Sequence, residues 1–104
     1  DILFKDMFNE YLEKHAKLHK KTWKEDLNQY NRYLKDLSNK KLLLINNEVI
    51  RKLYNNIASN NGIYAANRLL ALIRVVFNKA YKDTSGLEFL EKAGIEITHI
   101  PDLD

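Results

Sequence analysis

The segment from Gly62 to Lys82 constrains the fold more than any other part of the chain, because its apolar residues recur at helical spacing along its whole length. At about 100° per residue they collect on one wide arc of a helix. This arc consists of Ala66, Leu69, Leu70, Ile73, Val76, Phe77, Ala80 and Tyr81. An apolar stripe of this width has to be buried against other elements. The pattern therefore predicts a long amphipathic helix packed into the core of a helical domain.

The opposite arc of the same helix carries only cations, amides and small apolar residues. Its polar members are Asn67, Arg68, Arg74, Asn78, Lys79 and Lys82, with Ala71 and Val75 between them. No Asp or Glu occurs from Val49 through Lys82, whereas a solvated helix usually mixes both charge signs. A surface of cations and amides suits a polyanion. We therefore expect a small helical domain that binds DNA.

Composition narrows the class of protein. A chain of 104 residues has room for one domain with a modest core, and three Gly with one Pro favour helices over a turn-rich β fold. The absence of Cys excludes disulfides, thiolate metal sites and cysteine nucleophiles. The longest apolar run, Leu69 to Phe77, is interrupted by Arg74, so no membrane partner is expected. No signal peptide is recognisable, and we expect a cytoplasmic piece of a longer protein.

The formal net charge of +3 conceals a division between body and tail. Residues 1–82 contain 16 Lys and Arg against 8 Asp and Glu, a balance of +8. Residues 83–104 contain one Lys against 6 Asp and Glu, a balance of −5. A basic body followed by an acidic tail indicates an anionic partner more sharply than the total charge does.

Two helices are predicted in the first part of the chain. Residues 2–18 carry apolar side chains at helical spacing, namely Leu3, Phe4, Met7, Phe8, Tyr11, Leu12 and Ala16. The second helix, Thr22 to Leu37, is expected to bury Trp23, Leu27, Tyr30, Leu34 and Leu37. Thr22 and Glu25 have the spacing of a capping box at its start.

The second helix starts in a basic stretch. From Lys14 to Lys24 there are five Lys, two His and no acid. A helix N-terminus flanked by lysines is a physical site for a phosphate, although a solvated basic hinge explains the pattern equally well. Further along, one flank of the helix collects Lys24, Asn28, Asn31, Arg32 and Lys35, and the other collects Glu25, Gln29 and Asp36. This sorting predicts that the basic flank approaches DNA while the acidic flank stays in solvent.

The rest of the chain also favours an all-α domain. Leu42 to Ile45 is apolar but has no partner strand, and we interpret it as a packed loop. Ile45, Asn46 and Ile50 have the pattern of a hydrophobic staple beside an Asn N-cap. The third helix that follows is expected to bury Val49, Ile50, Leu53, Tyr54 and Ile57. Asn60-Asn61-Gly62 predicts a left-handed C-cap, and a short helix is predicted in the tail from Leu87 to Ala93.

Two stretches together resemble the core-binding domain of tyrosine recombinases, the phage-integrase family. The first is KTWKEDLNQYNRYL, in which Thr22 opens a helix, and the second is NGIYAANRLLALIRVVFNKAY. The family often shows a Gly, a small residue followed by Ala-Asn-Arg, a run of Leu, and an aromatic before a terminal Ala. Here the corresponding residues are Gly62, Ala65-Ala66-Asn67-Arg68, Leu69, Leu70, Leu72, Phe77 and Ala80. The resemblance covers roughly residues 3–82. The chain departs from it at Ala65, where Thr or Ser is common, and in lacking an Asn-Pro after the fourth helix.

The resemblance implies a SAM-like four-helix bundle of two crossed helical hairpins, spanning residues 1–85, with residues 86–104 as an acidic linker. In such enzymes this domain and a separate C-terminal catalytic domain clamp duplex DNA, and several recombinase protomers assemble on it during DNA integration and recombination. The second and fourth helices face the major groove and the phosphates. The catalytic set of Arg, Lys, His and Tyr belongs to the other domain, so this bacterial or phage-encoded segment is not expected to cut DNA alone.

Twelve residues are the predicted DNA contacts. Phosphates are assigned to Lys20, Lys21, Thr22 and Lys24 at the start of the second helix. Asn28, Asn31 and Lys35 continue along that helix, and Asn67, Arg68, Arg74, Asn78 and Lys82 lie on the fourth. Asn pairs with adenine and Arg with guanine in the major groove, while Ala71 or Val75 offers contact to a thymine methyl.

No enzyme, metal site or cofactor site is predicted. His15, His19 and His99 lack metal-ligand spacing, phosphate-binding and dinucleotide motifs are missing, and packing explains the tyrosines. One alternative is a helical protein-interaction module whose basic face meets an acidic partner, including the chain's own tail. A helix-turn-helix regulator is disfavoured, because the connection between the second and third helices is too long for that motif.

Overall fold

The computed structural model describes residues 2–82, and side chains for residues 2–80. Helix α1 consists of Phe4–Tyr11, a π-helical segment Leu12–Ala16, and Lys17–His19. Helix α2 consists of Trp23–Gln29, a π-helical segment Tyr30–Leu34, and a 3₁₀ turn Lys35–Leu37. A short 3₁₀ helix, Leu42–Leu44, precedes α3, Asn47–Asn61, and α4, Ile63–Lys82.

These elements confirm the predicted all-α four-helix bundle. α1 and α2 form one hairpin, α3 and α4 form the other, and α4 packs against both α3 and α1. Between residues 2 and 82 there is no strand, and one isolated bridge joins Leu3 to Lys41. No helix in this range has the length and apolar character needed to cross a bilayer. The helix predicted from Leu87 to Ala93, and the acidic tail as a whole, lie outside the described residues.

Aromatic stacking joins α1 to α2. The rings of Phe8 and Tyr30 stack with centroids 4.3 Å apart, and Phe4 lies on Tyr30 at 6.2 Å. The Tyr30 hydroxyl is hydrogen-bonded to the Ser38 hydroxyl at 2.5 Å, so this buried phenol is satisfied. The predicted apolar stripe of α1 is buried except at Leu3, which is half-buried.

The capping box predicted at Thr22 and Glu25 is wrong. Thr22 has φ −98° and ψ 23°, and its hydroxyl caps nothing. Its carbonyl accepts a bond from the Glu25 amide at 2.9 Å. A capping side chain needs an extended backbone to reach the amides of the first turn. Here the backbone is held in a turn, because the Trp23 amide donates to the Lys20 carbonyl.

The connection between the hairpins is a packed loop, as predicted. Leu42 and Ile45 are buried, and the Leu42 amide donates to the Ile2 carbonyl at 2.9 Å, which ties the loop to the start of the chain. The Asn46 side chain caps α3 by accepting from the Val49 amide at 3.1 Å. Ile50, the other half of the predicted staple, is also buried.

A single residue, Gly62, separates α3 from α4. Its φ is 94° and its ψ is 158°. The φ is positive, but the ψ is that of extended backbone, so the predicted left-handed helical C-cap is wrong. The Gly62 amide donates to the Ala58 carbonyl of α3, and its carbonyl accepts from the Ala66 amide of α4. One residue thus closes one helix and opens the next.

Helix α4 is central to the core, as its periodicity predicts. Ala66, Leu69, Ile73, Val76, Phe77 and Ala80 are buried, and Leu70 is half-buried. The structure adds Leu72, which is 4% exposed although it lies outside the predicted arc. The buried side is therefore wider than predicted, because α4 packs against both α3 and α1.

Candidate nucleic-acid interface

A shallow groove between α2 and α4 is lined by four of the twelve predicted contacts, Lys20, Thr22, Asn28 and Arg68. It contains two neighbouring clefts of about 260 and 250 Å³. Both clefts are lined by Glu25 and Gln29 of α2 and by Arg68 of α4. The first extends to Asn28 and Arg32, and the second extends to Lys20 and Thr22 and to the predicted apolar positions Ala71 and Val75. The groove therefore brings together residues that the sequence assigns to two separate helices.

Arg68 stands at the centre of this groove. Its Nη2 lies 3.8 Å from Oε2 of Glu25, and the two side chains are 51% and 64% exposed. Its guanidinium carbon also lies 5.9 Å from the centroid of the Tyr64 ring. An ion pair this long and this exposed contributes little stability. It orients the guanidinium without burying it.

The sorting of α2 into two flanks differs from the prediction. Glu25 and Gln29 were expected to stay away from the binding face, but they line the groove with α4. Asn28 shares that groove, whereas Asn31 lines a different cleft, between α1 and α2. The sequence defines angles around one helix only, and the position of α4 decides which flank faces it. Lys35 and Lys24 are exposed.

The start of α2 contains an ionic cluster that was not predicted. Asp26 is 3% exposed, and Lys20 Nζ lies 3.0 Å from both of its carboxylate oxygens. The Tyr11 hydroxyl donates to Asp26 Oδ2 at 2.8 Å. Lys20, predicted as a phosphate contact, thus neutralises a buried carboxylate, while its side chain remains 43% exposed. The next two predicted phosphate contacts, Lys21 and Thr22, are exposed.

Burial raises the pKa of the Tyr11 phenol well above its ordinary value, and the hydrogen bond to Asp26 and the negative charge of that carboxylate raise it further. The phenol therefore remains a hydrogen-bond donor to Asp26 far into the alkaline range. In the sequence Asp26 looks like an ordinary acid in the first turn of a helix, favoured by the dipole. Nothing local distinguishes it from Glu25, because its two partners belong to α1 and to the turn before α2.

Trp23 lies between two lysines at the same end of α2. The ammonium groups of Lys17 and Lys24 are 5.1 and 5.7 Å from the centroid of the indole ring. Lys17 is also paired with Glu13 at 2.6 Å. The indole is half-buried. Its contacts with the two ammonium groups hold both lysine side chains close to the start of α2.

The predicted contacts on α4 divide between its two sides. Arg68 faces α2, whereas the Asn67 Oδ1 accepts from the Tyr54 hydroxyl of α3 at 2.6 Å. Arg74 and Asn78 are exposed and fall on the arc of Asn67 at about 100° per residue. The side chain of Lys82 lies outside the described part of the chain. The structure thus unites Lys20, Thr22, Asn28 and Arg68 in one groove, and places Asn31 and Asn67 beyond it.

Three cations, Lys20, Arg32 and Arg68, and two acids line the groove. The acids that line it, Glu25 and Asp26, each face a cation, while Arg32 and the amides of Asn28 and Gln29 add donors. Within residues 2–82, no group of His, Asp and Glu has the arrangement of a metal site. No protein-family model, no curated protein and no solved structure matches the chain.

Proposed function

We propose that this chain is the DNA-binding core-binding domain of a tyrosine site-specific recombinase, which holds duplex DNA while a separate catalytic domain exchanges strands. The observation that carries the proposal is the α2–α4 groove, whose polar lining consists mainly of cations and amides and whose two acids, Glu25 and Asp26, each face a cation. The sequence resemblance of residues 3–82 to that family supports it. The domain itself supplies binding and no strand cleavage.

Phosphates supply the affinity in this proposal. Lys21 and Lys24 are exposed beside the start of α2, and Arg74 is exposed on α4. Each phosphate neutralised on B-DNA contributes about 0.9 to the slope of log affinity against log salt. The interaction is therefore strong only at low salt, and the catalytic domain provides the second half of the clamp.

The test is an amide-resolved NMR titration of the 104-residue chain with a short duplex at low salt, repeated at higher salt. The proposal expects shifts concentrated in residues 20–35 and 67–82 that fade as salt rises. Shifts that are absent, or scattered over lysines on every face, contradict it. They would favour the alternative of a helical module whose basic face binds an acidic protein.

Two substitutions sharpen this test. Lys24→Ala and Arg74→Ala should each weaken duplex binding on all sequences and lower the salt slope by about 1, with helicity unchanged. Lys52→Ala is the matched control, because Lys52 is 77% exposed and pairs only loosely with Glu48 on α3. It removes the same charge on the side of α3 turned away from Tyr54. Equal losses in all three variants would mean that net charge, and not the predicted contacts on α2 and α4, binds DNA.

A further inference from the structure

We propose that Arg68, held between Glu25 and Tyr64, recognises a guanine in the major groove, and that Glu25 makes this recognition selective. This inference rests on the proposed function. It assigns a specificity-determining role to one arginine among the many cations of the chain, and to an acid that the sequence places away from DNA.

The argument begins with the way Arg68 is held. Tyr64 precedes it by one helical turn on α4 and is 74% exposed, and the guanidinium lies 5.9 Å from its ring. Glu25 approaches from α2, 3.8 Å away. Two contacts from different helices orient the guanidinium, which remains half exposed toward solvent. A side chain ordered before binding loses less entropy when it binds.

The chemistry of this arrangement favours a base edge over a phosphate. A planar guanidinium donates two parallel hydrogen bonds to O6 and N7 of guanine. The Glu25 carboxylate beside it repels a phosphate, and instead accepts a hydrogen bond from the N4 amino group of cytosine. The same pair of side chains therefore favours a G·C-containing step and disfavours contact with the backbone. Lys24, a flexible point charge over Trp23, has no such geometry.

The apolar residues along the groove also favour contact with bases. Ala71 and Val75 follow Arg68 on the outer side of α4, and Val75 is 39% exposed. Together with Ala71 it lines the cleft that also contains Arg68 and Glu25. Small apolar groups beside an arginine let the helix approach the floor of a groove, and they match thymine methyl groups.

The experiment is selection of binding sites from a randomised duplex pool at low salt, with the 104-residue chain and three variants. Wild type should enrich a guanine at one position. Arg68→Lys keeps the charge but loses the planar fork, so it should lose that enrichment, with about 10-fold weaker binding to the selected duplex and less than about 2-fold on an unselected one. Glu25→Gln should bind unselected duplexes several-fold more tightly. The ratio of its affinity for the selected duplex to its affinity for unselected duplexes should therefore fall.

Lys24→Ala is the control, and it should weaken both duplexes equally while preserving the enriched guanine. If Arg68→Lys preserves it too, or weakens every duplex alike, Arg68 contacts phosphate and the inference is overturned while the proposed function stands. If wild type enriches a site with no guanine that depends on Arg68, the inference also fails. Absence of any duplex binding in the NMR titration overturns both. Circular dichroism of each variant confirms its fold, which these exposed substitutions should leave intact.

Discussion

Asp26 shows how one residue holds together the start of the proposed interface. It is buried, yet its carboxylate accepts from the Tyr11 hydroxyl and from the Lys20 ammonium. A buried carboxylate is tolerated only when it is paired and hydrogen-bonded. The cluster therefore fixes the turn between α1 and α2, and with it the direction in which Lys21 and Lys24 leave the surface.

We predict that Asp26→Asn lowers the free energy of unfolding by about 1–3 kcal/mol, because the charge-assisted bond from Lys20 is lost while the site stays buried. Urea denaturation followed by Trp23 fluorescence and far-ultraviolet circular dichroism measures this loss. Lys52→Ala, which breaks an exposed pair with Glu48, should cost less than about 0.5 kcal/mol. A loss for Asp26→Asn no larger than that of the control would show that the cluster contributes nothing to stability.

Tyr11 gives a prediction for pH. Its pKa is raised in the folded chain above the ordinary value of 10.0, so above about pH 10 the unfolded chain releases this proton and the folded chain keeps it. The contribution of Tyr11 to the free energy of unfolding is fully present below pH 10. It is lost as pH rises beyond that value, by up to about 1.4 kcal/mol per pH unit. Wild type should therefore lose stability between about pH 9 and about pH 11 more steeply than Tyr11→Phe. Parallel urea-midpoint curves for the two proteins would rule out the raised pKa.

At the scale of elements, both helices of the first hairpin change their hydrogen-bond register within their length. Leu12–Ala16 and Tyr30–Leu34 are π-helical, although the sequence predicts uninterrupted α-helix in both places. A π-helical turn bonds each amide one residue further back, which rotates the side chains that follow. The buried residues Ala16 and Leu34 lie within these segments. The packing of α1 on α2 therefore selects a register that propensity alone does not.

The junction of α3 and α4 yields the element-scale prediction. Gly62 has φ 94° and ψ 158°, a region open essentially to glycine alone. Gly62→Ala should lower the free energy of unfolding by about 1–3 kcal/mol through backbone strain, since an added Cβ meets no atom within 4 Å. Thermal and urea denaturation measure the loss. Asn61→Ala, an exposed helical neighbour, should change stability by less than about 0.5 kcal/mol, and an equally mild Gly62→Ala would contradict the strain argument.

Over the whole molecule, the arrangement of the two hairpins decides what the charges do. Residues 1–82 carry a charge balance of +8, but several of their cations form ion pairs within the fold. Lys14, Lys17 and Lys20 pair with Glu10, Glu13 and Asp26. Further exposed cations include Lys24, Arg32 and Lys35 on α2 and Arg68, Arg74 and Lys79 on α4, whereas Arg51 and Lys52 lie on α3.

The acidic tail is the subject of the prediction at this scale. Residues 86–104 carry five acids and one Lys, so deleting them raises the net charge of the chain from +3 to +7. We predict that the deletion tightens binding to any duplex several-fold at low salt, and that the difference disappears at high salt because the effect is electrostatic. Fluorescence anisotropy of a labelled duplex measures both affinities. Unchanged affinity at low salt would exclude competition between the tail and DNA.

Local patterns determined much of this protein. Helical periodicity predicted α1, α2, α3 and α4 and nearly every core residue, because burying an apolar stripe leaves one orientation for each helix. The Asn46 cap and the positive φ of Gly62 were also predictable, since both depend on the backbone within a turn.

Only the tertiary structure decided which polar groups meet. The bond from Tyr11 to Asp26 joins residues 15 apart, and the bond from Tyr54 to Asn67 joins residues 13 apart. The Glu25–Arg68 pair connects the two hairpins. No local pattern encodes such contacts, because they depend on how the hairpins dock, and docking is set by the summed packing of the core. The sequence thus predicted a basic helical surface, whereas the fold placed an acid at its centre beside Arg68.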